Sequence, residues 1–451
     1  MKGLKFQFTT ILLTLIVAFS TACGNGNGNG GNNSNEPAKT NNSKGETSGG
    51  EVTEITFANW ISVEDATKAA YEKMIADFET ANPGIKVKSL GIPFNQYKDQ
   101  ILISSTGGNP PDVMMANQNF SAAFVGASIA APLEGLVSAD ALGDIVEGSK
   151  QGVTYDGKIM AFPWAPHPNA LFWNKNLFKA AGLDPETPPA TWDEMIEVAK
   201  KIASLKKDAN GNPIYGIGIN NASLSYSGNM LFRDVLTYGG TFMNDQGEVV
   251  FDQGDALKQA LTNIQDLVNN GVAPKGVEIK DLRGMFGVGT LGLHIDGDMA
   301  RQIFRDASGK GEAFDAEWGV TVVPPGATGK SETVFSEHQL LIAKTSKKQE
   351  AAAKLVEYLV SKEAMITYHQ LNGVMSARTS VAALPEMNED DYAAVFNKQM
   401  SSASPFPAKN PVFDNAMKTA SDMIILVTEG GQTPETAIEQ VMPKIKELYV
   451  K

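Results

Sequence analysis

Four histidines, His167, His294, His338 and His369, are the first residues to test for chemistry, and none lies at the spacing of about three to five residues that sets two imidazoles on one zinc ion. No nucleophile-elbow or zinc-protease string occurs either. Gly287-Val288-Gly289-Thr290-Leu291-Gly292 matches a dinucleotide fingerprint as a string. That fingerprint must leave a strand and open a helix, so that the pyrophosphate meets helical N–H groups, whereas this one leads into the alternating strand pattern Leu291, Leu293, Ile295. Asp208-Ala209-Asn210-Gly211-Asn212 begins like a calcium loop, but its glycine is misplaced and Ile219 stands where the bidentate Glu belongs, so it reads as a turn. Cys23 is the only cysteine and has no partner for an intrachain disulfide. These residues imply no cofactor, no metal and no catalytic string. Paired carboxylates leave no string, so an extracellular glycoside hydrolase stays open as an alternative.

The elements that would position any site begin after residue 50. Residues 1–22 read as a signal peptide: Lys2 and Lys5 supply the charge, residues 11–19 the apolar core, and Ser20-Thr21-Ala22 the small residues before cleavage. The apolar run is about nine residues, where a membrane span needs about 20. Residues 23–50 are mostly Gly, Asn, Ser, Lys and Glu without aromatic or large aliphatic side chains, which predicts a flexible linker that cannot offset its own ordering entropy. The net charge of -13 disfavours nucleic acid and anionic lipid surfaces, both of which need clustered cations. The remaining 400 or so residues, in a chain with 42% apolar side chains, suffice for two lobes with separate cores.

Within that body, Ile55-Thr56-Phe57-Ala58 alternates as a strand, Ala70, Met74, Ile75 and Phe78 recur at helical spacing, and Asn82-Pro83-Gly84 stops the helix. A second strand from Ile85, a helix through Tyr97 and Ile101, and a third strand at Asp112-Val113-Met114-Met115 follow. This β-α-β-α-β order predicts an α/β fold with mostly parallel sheets flanked by helices, whose ligands sit at the carboxyl ends of the strands. Thr191-Trp192-Asp193-Glu194 has capping-box spacing, so Trp192 belongs to a packed helix face. Leu257, Ala260, Leu261, Ile264, Leu267 and Val268 form another apolar face, closed by Gly271.

Several stretches together resemble the extracellular solute-binding proteins of ABC importers, the family that includes maltose-binding protein. They are Gly107-Gly108-Asn109-Pro110-Pro111-Asp112-Val113, Tyr155-Asp156-Gly157-Lys158-Ile159-Met160-Ala161-Phe162-Pro163-Trp164 and Phe172-Trp173-Asn174-Lys175-Asn176-Leu177-Phe178, then Gly239-Gly240-Thr241-Phe242 and Leu293-His294-Ile295-Asp296-Gly297-Asp298. Cys23 at the end of its leader likewise resembles the lipidated cysteine of bacterial lipoproteins, although Ser20 replaces the usual leucine. The resemblance implies a two-lobed periplasmic-binding-protein-like fold with a hinge, the N-terminal lobe holding residues 51–162 plus 325–373 and the C-terminal lobe residues 163–324 plus 374–451. It implies a monomer held by lipid at the extracellular face of the cell membrane, closing on a sugar or oligosaccharide and delivering it to permease subunits. A polyamine, a peptide, glycerol phosphate, or a sensor role stay open as alternatives.

A sugar site combines aromatic platforms with polar side chains. Trp60 follows the first strand, and Asn117 and Gln118 follow the third, matching the family's ligand loop. By the same analogy Trp164, His167 and Asn169 fall at the first crossover, Tyr226 before a helix that carries ligand contacts, and Asp296 and Asp298 at a strand end. Glu337 and His338 precede the strand starting at Leu340, Arg378 follows the third crossover, and Phe406 offers another platform. Met299 stands where many sugar-binding relatives have a stacking Trp.

Overall fold

Alternation of Ile55 and Phe57 with polar neighbours produces β1 (Thr53–Asn59) in the computed structural model, which describes residues 52–244 and 246–450. The leader, Cys23 and the linker lie outside the described residues. β1 is followed by the helix Asp65–Ala81, β2 (Ile85–Gly91), the helix Phe94–Thr106 and β3 (Val113–Ala116). β1 pairs in parallel with both β2 and β3, as the β-α-β-α-β pattern predicts. Asp112 fixes this register: its carboxylate accepts from the Thr56 backbone N–H at 2.8 Å and the Ser346 hydroxyl at 2.6 Å.

The short hairpin of β4 (Thr154–Tyr155) and β5 (Lys158–Ile159) turns at Asp156 and Gly157, both with positive φ (50° and 75°), the geometry two-residue hairpins need. β6 (Phe162–Pro168) then leads, through Asn169 alone, into β7 (Ala170–Asn174) of a second sheet. That sheet has the order β10-β7-β9-β8, from β8 (Tyr215–Ile217), β9 (Leu291–Asp296) and β10 (Trp318–Thr321). The chain returns to the first sheet as β11 (Thr333–Ile342), antiparallel to β3 and β6, and β12 (Ala403–Pro405) pairs with its start. The Gly287 to Gly292 string ends a helix and enters β9, as its context requires.

Each sheet has its own core. Phe57, Met114, Phe162 and Leu341 lie in the first, Leu171, Leu261, Leu293 and Met417 in the second, all fully buried. Burying each such side chain contributes about 1.5–3 kcal/mol, so the lobes are held by separate apolar clusters rather than by each other. β6 stays in the first sheet to Pro168 because it pairs with β11 over that length. β11 begins at Thr333, not at residue 325. Val374, Val381 and Met387 pack in the first core, beside the Arg378–Asp144 ion pair at 3.0 Å, while Met375 packs with Phe172 of the second sheet.

Candidate functional site

The carboxyl ends of β1, β3 and β9 open toward the antiparallel ribbon of β6 and β11 that runs between the lobes. His167, near the end of β6, is buried, and its Nδ1 lies 2.5 Å from Asp298 Oδ1. Asp298 Oδ2 accepts from the Met375 backbone N–H at 3.2 Å. One fully buried carboxylate thus ties the first crossover and the segment around Met375 to the end of β9. On the other side of the ring, His167 Nε2 is 3.2 Å from His338 Nδ1. Burial, with the neighbouring His167, pushes the His338 pKa well below the usual imidazole range and keeps it neutral. His338 meets Trp60 edge-on at 5.3 Å, and Trp60 packs edge-on against Phe94, Tyr97 and Phe120. A continuous polar-to-aromatic wall therefore runs from the second lobe into the first.

A second cluster forms where β9 ends. Arg283, from the helix Ile279–Gly287, clamps Asp296 with Nε at 2.7 Å and Nη2 at 2.9 Å, and His294 Nε2 adds a contact at 3.1 Å. Burial opposes ionisation of Asp296, but the Arg283 charge and hydrogen bonds outweigh it and hold the carboxyl well below its usual range. Tyr226 stands at the start of the helix Ser225–Thr237, its pKa pushed up to about 12 by burial and then by the Asp296 charge. Deeper in the same helix, Arg233 Nη2 bonds Asp234 Oδ1 at 2.7 Å, and both are buried. Among the described residues no three His, Cys, Asp or Glu side chains group as a metal site.

Glu337 is buried on β11 of the ribbon. The Ser149 hydroxyl donates to its Oε1 and Gln339 Nε2 to its Oε2 at 3.1 Å. Burial dominates these donors and raises its pKa to about 7.

The structure brings together Trp60, His167, His338, Asp296, Asp298 and Tyr226. Six other candidates have structural work. Trp164 is 1% exposed in the first core, its indole donating to the Leu359 carbonyl at 3.0 Å and its ring against Tyr368. Phe406 packs in the second core against Phe232 and Phe413. Arg378 is committed to Asp144. Asn117 caps the helix Gln118–Gly126 by accepting from Phe120 N–H at 2.9 Å, and the Gln118 amide bonds the backbone of Phe335 and Glu337 on β11. Asn169 is buried at the β6–β7 junction, where its backbone N–H bonds the Val334 carbonyl. Arg283, Arg233 and Asp234 were not legible as site residues, since single arginines in amphipathic helices read as solvated faces.

The family model described as bacterial extracellular solute-binding protein matches residues 73–394. A Brucella abortus protein named only as a binding protein is 26% identical over 72% of this chain and 76% of its own length. The maltooligosaccharide ABC transporter solute-binding lipoprotein of Streptococcus pneumoniae is 25% identical over 87% of this chain and 92% of its length. Among solved structures, an ABC transporter solute-binding protein of Thermotoga lettingae bound with alpha-D-tagatose superposes with a TM-score of 0.78 at 23% identity, covering 88% of this chain and 100% of that one. A maltose-bound protein of T. maritima superposes with a TM-score of 0.76 at 22% identity, over 88% of this chain and 100% of that one.

Proposed function

The chain belongs to the bacterial extracellular solute-binding family, and from that premise we propose that it is the lipid-anchored receptor subunit of an ABC importer, capturing a sugar or oligosaccharide between its lobes. The observation that carries the reading is the join of the two lobes through His167, His338 and Asp298, with Trp60 on one side and the Arg283–Asp296 pair on the other. Polar groups in planar, hydrogen-bonded arrays beside apolar rings suit a ligand with hydroxyl edges and C–H faces. The sugar-bound relatives support the same class. Closure follows from differential binding: a solute that touches both lobes only when they meet shifts the hinge equilibrium toward the closed form. A permease then reads that form. Cys23 carries the lipid, and residues 23–50 let the body stand off the membrane. The protein binds its solute without turning it over.

A thermal-shift screen of mono- and oligosaccharides, polyamines and peptides tests the reading. A ligand at about 100 times its dissociation constant adds about 2.7 kcal/mol of stability. Stabilisation by a carbohydrate supports the proposal; stabilisation by polyamines or peptides alone refutes it. New reducing ends during incubation with a bound glycan would replace the binding role with a hydrolase.

A further inference from the structure

We propose, resting on the carbohydrate reading above, that Phe94 is the platform of an outer subsite for a second sugar ring, so that the solute is an oligosaccharide rather than a monosaccharide. Phe94, Trp60 and Phe120 each lie just beyond the carboxyl end of one of three parallel strands, β2, β1 and β3, at the edge where a sheet of this kind binds its ligand. Register keeps them together: Asn59 at the end of β1 stands opposite Gly91 at the end of β2, and the Ile92 backbone N–H donates to the Asn59 carbonyl at 3.0 Å. The three rings touch. Trp60 meets Phe94 and Phe120 edge-on at 5.3 and 6.0 Å, and Phe94 meets Phe120 at 5.2 Å.

Phe94 alone of the three offers a face: it is 46% exposed, against 3% for Trp60 and 7% for Phe120. Packed against two rings, it presents that apolar surface without the entropy cost of ordering a free side chain. It also stands at the seam between the lobes. Lys98 follows one turn later on the same helix face and pairs at 2.5 Å with Asp414, whose helix packs in the second core. Asn119, beside Phe120, approaches the same carboxylate at 3.4 Å through its Nδ2. Asn119 is 8% exposed, and among the described residues its Oδ1 accepts no hydrogen bond. A buried carbonyl oxygen in that state needs a donor, which a sugar hydroxyl supplies. On the side away from the seam Trp60 meets His338 at 5.3 Å, and His338 continues to His167 and Asp298. A solute that touches both the histidines and Phe94 therefore spans an indole ring. One sugar at the histidines leaves Phe94 bare, and a glycosidically linked second ring covers it with its C–H face.

The test is isothermal titration of the full chain with glucose, galactose, mannose and xylose, each against its own disaccharides: maltose and cellobiose, galactobiose, mannobiose and xylobiose. The best-bound disaccharide should bind at least about tenfold more tightly than its monosaccharide. Phe94→Ala, at a half-exposed position, should weaken that disaccharide by about five- to tenfold and leave the monosaccharide within about twofold. Phe94→Trp, which keeps an aromatic face, should hold the disaccharide within about twofold of wild type. A monosaccharide that binds as tightly as its disaccharide overturns the proposal while the carbohydrate reading stands, as does an equal loss for both sugars, or no loss, in Phe94→Ala. If none of these sugars binds, the proposal falls together with the carbohydrate reading.

Discussion

At the scale of the residue, the crossover ribbon concentrates groups whose protonation couples to folding. Glu337 is pushed up to about 7 by burial, against an ordinary value of 4.5. A carboxyl whose folded pKa exceeds its unfolded one binds more protons when folded, so stability is highest below the unfolded value. It falls as pH rises through that window and levels off above the folded pKa. The loss between pH 4.5 and 7 should amount to about 3 kcal/mol at most. Urea unfolding of wild type should therefore show a declining contribution across this range, and Glu337→Gln, which keeps the Ser149 contact, should flatten it. An identical pH slope in the two proteins would show that Glu337 does not titrate there. Trp164→Ala gives a second residue-scale test. Removing a fully buried indole and its bond to Leu359 should cost about 3–5 kcal/mol of stability, while the folded protein keeps its ligand affinity within about threefold. A loss of affinity of tenfold or more without loss of stability would return Trp164 to the site.

At the scale of the element, helix packing positions the second-lobe half of the site. The helix Ser225–Thr237 presents Tyr226 and the Arg233–Asp234 pair, and it lies so close to the helix Phe413–Thr428 that a Cβ at Gly228 would sit 2.0 Å from the Met417 carbonyl oxygen. Only glycine permits that approach. Gly228→Ala should separate the helices and cost about 1–3 kcal/mol, read by thermal unfolding, with weaker ligand binding as Tyr226 moves. A variant with wild-type stability would mean the two helices slide at no cost. Elements of this kind were largely legible in the sequence: the strand-helix alternation from Ile55 to Met115, the Thr191 cap that accepts from Glu194 at 3.2 Å, and the helix closed near Gly271 all follow from periodicity and caps. Of the residues the structure brings together, Trp60, Asp296 and Asp298 were legible at strand ends, and His167, Tyr226 and His338 as polar or aromatic residues beside a crossover, a helix start and a strand start. Arg283 lies thirteen residues before Asp296, on the opposite side of a helix-to-strand connection, and nothing local marks the pair. Trp164 and Phe406, read from the sequence as cleft candidates, pack in the two cores; an aromatic ring beside a proline looks alike whether it faces a cleft or a core. Which it faces depends on how far β6 stays paired with β11, a long-range register invisible to local pattern.

At the scale of the whole molecule, the lobes also meet away from the crossovers. Lys98, one turn along the helix Phe94–Thr106 from the half-exposed Phe94, reaches Asp414 on the helix Phe413–Thr428 at 2.5 Å, and Asn119 approaches the other carboxylate oxygen at 3.4 Å. The two helices pack in different cores, so this ion pair can form only while the lobes are together. Any interaction present in the closed form and absent from the open one raises apparent ligand affinity by its own free energy, because the ligand no longer supplies that part of closure. The pair is partly exposed, with side chains 26% and 19% accessible, so its worth is about 0.5–1 kcal/mol and salt should screen it. Lys98→Met and Asp414→Asn should each weaken ligand binding by about two- to fivefold at low ionic strength, and by less at 0.5 M salt, without lowering the thermal stability of either lobe. The charge-swapped double variant Lys98→Asp with Asp414→Lys should recover most of the affinity. Additive losses in the swap would show that the two side chains act separately and that closure does not depend on their contact.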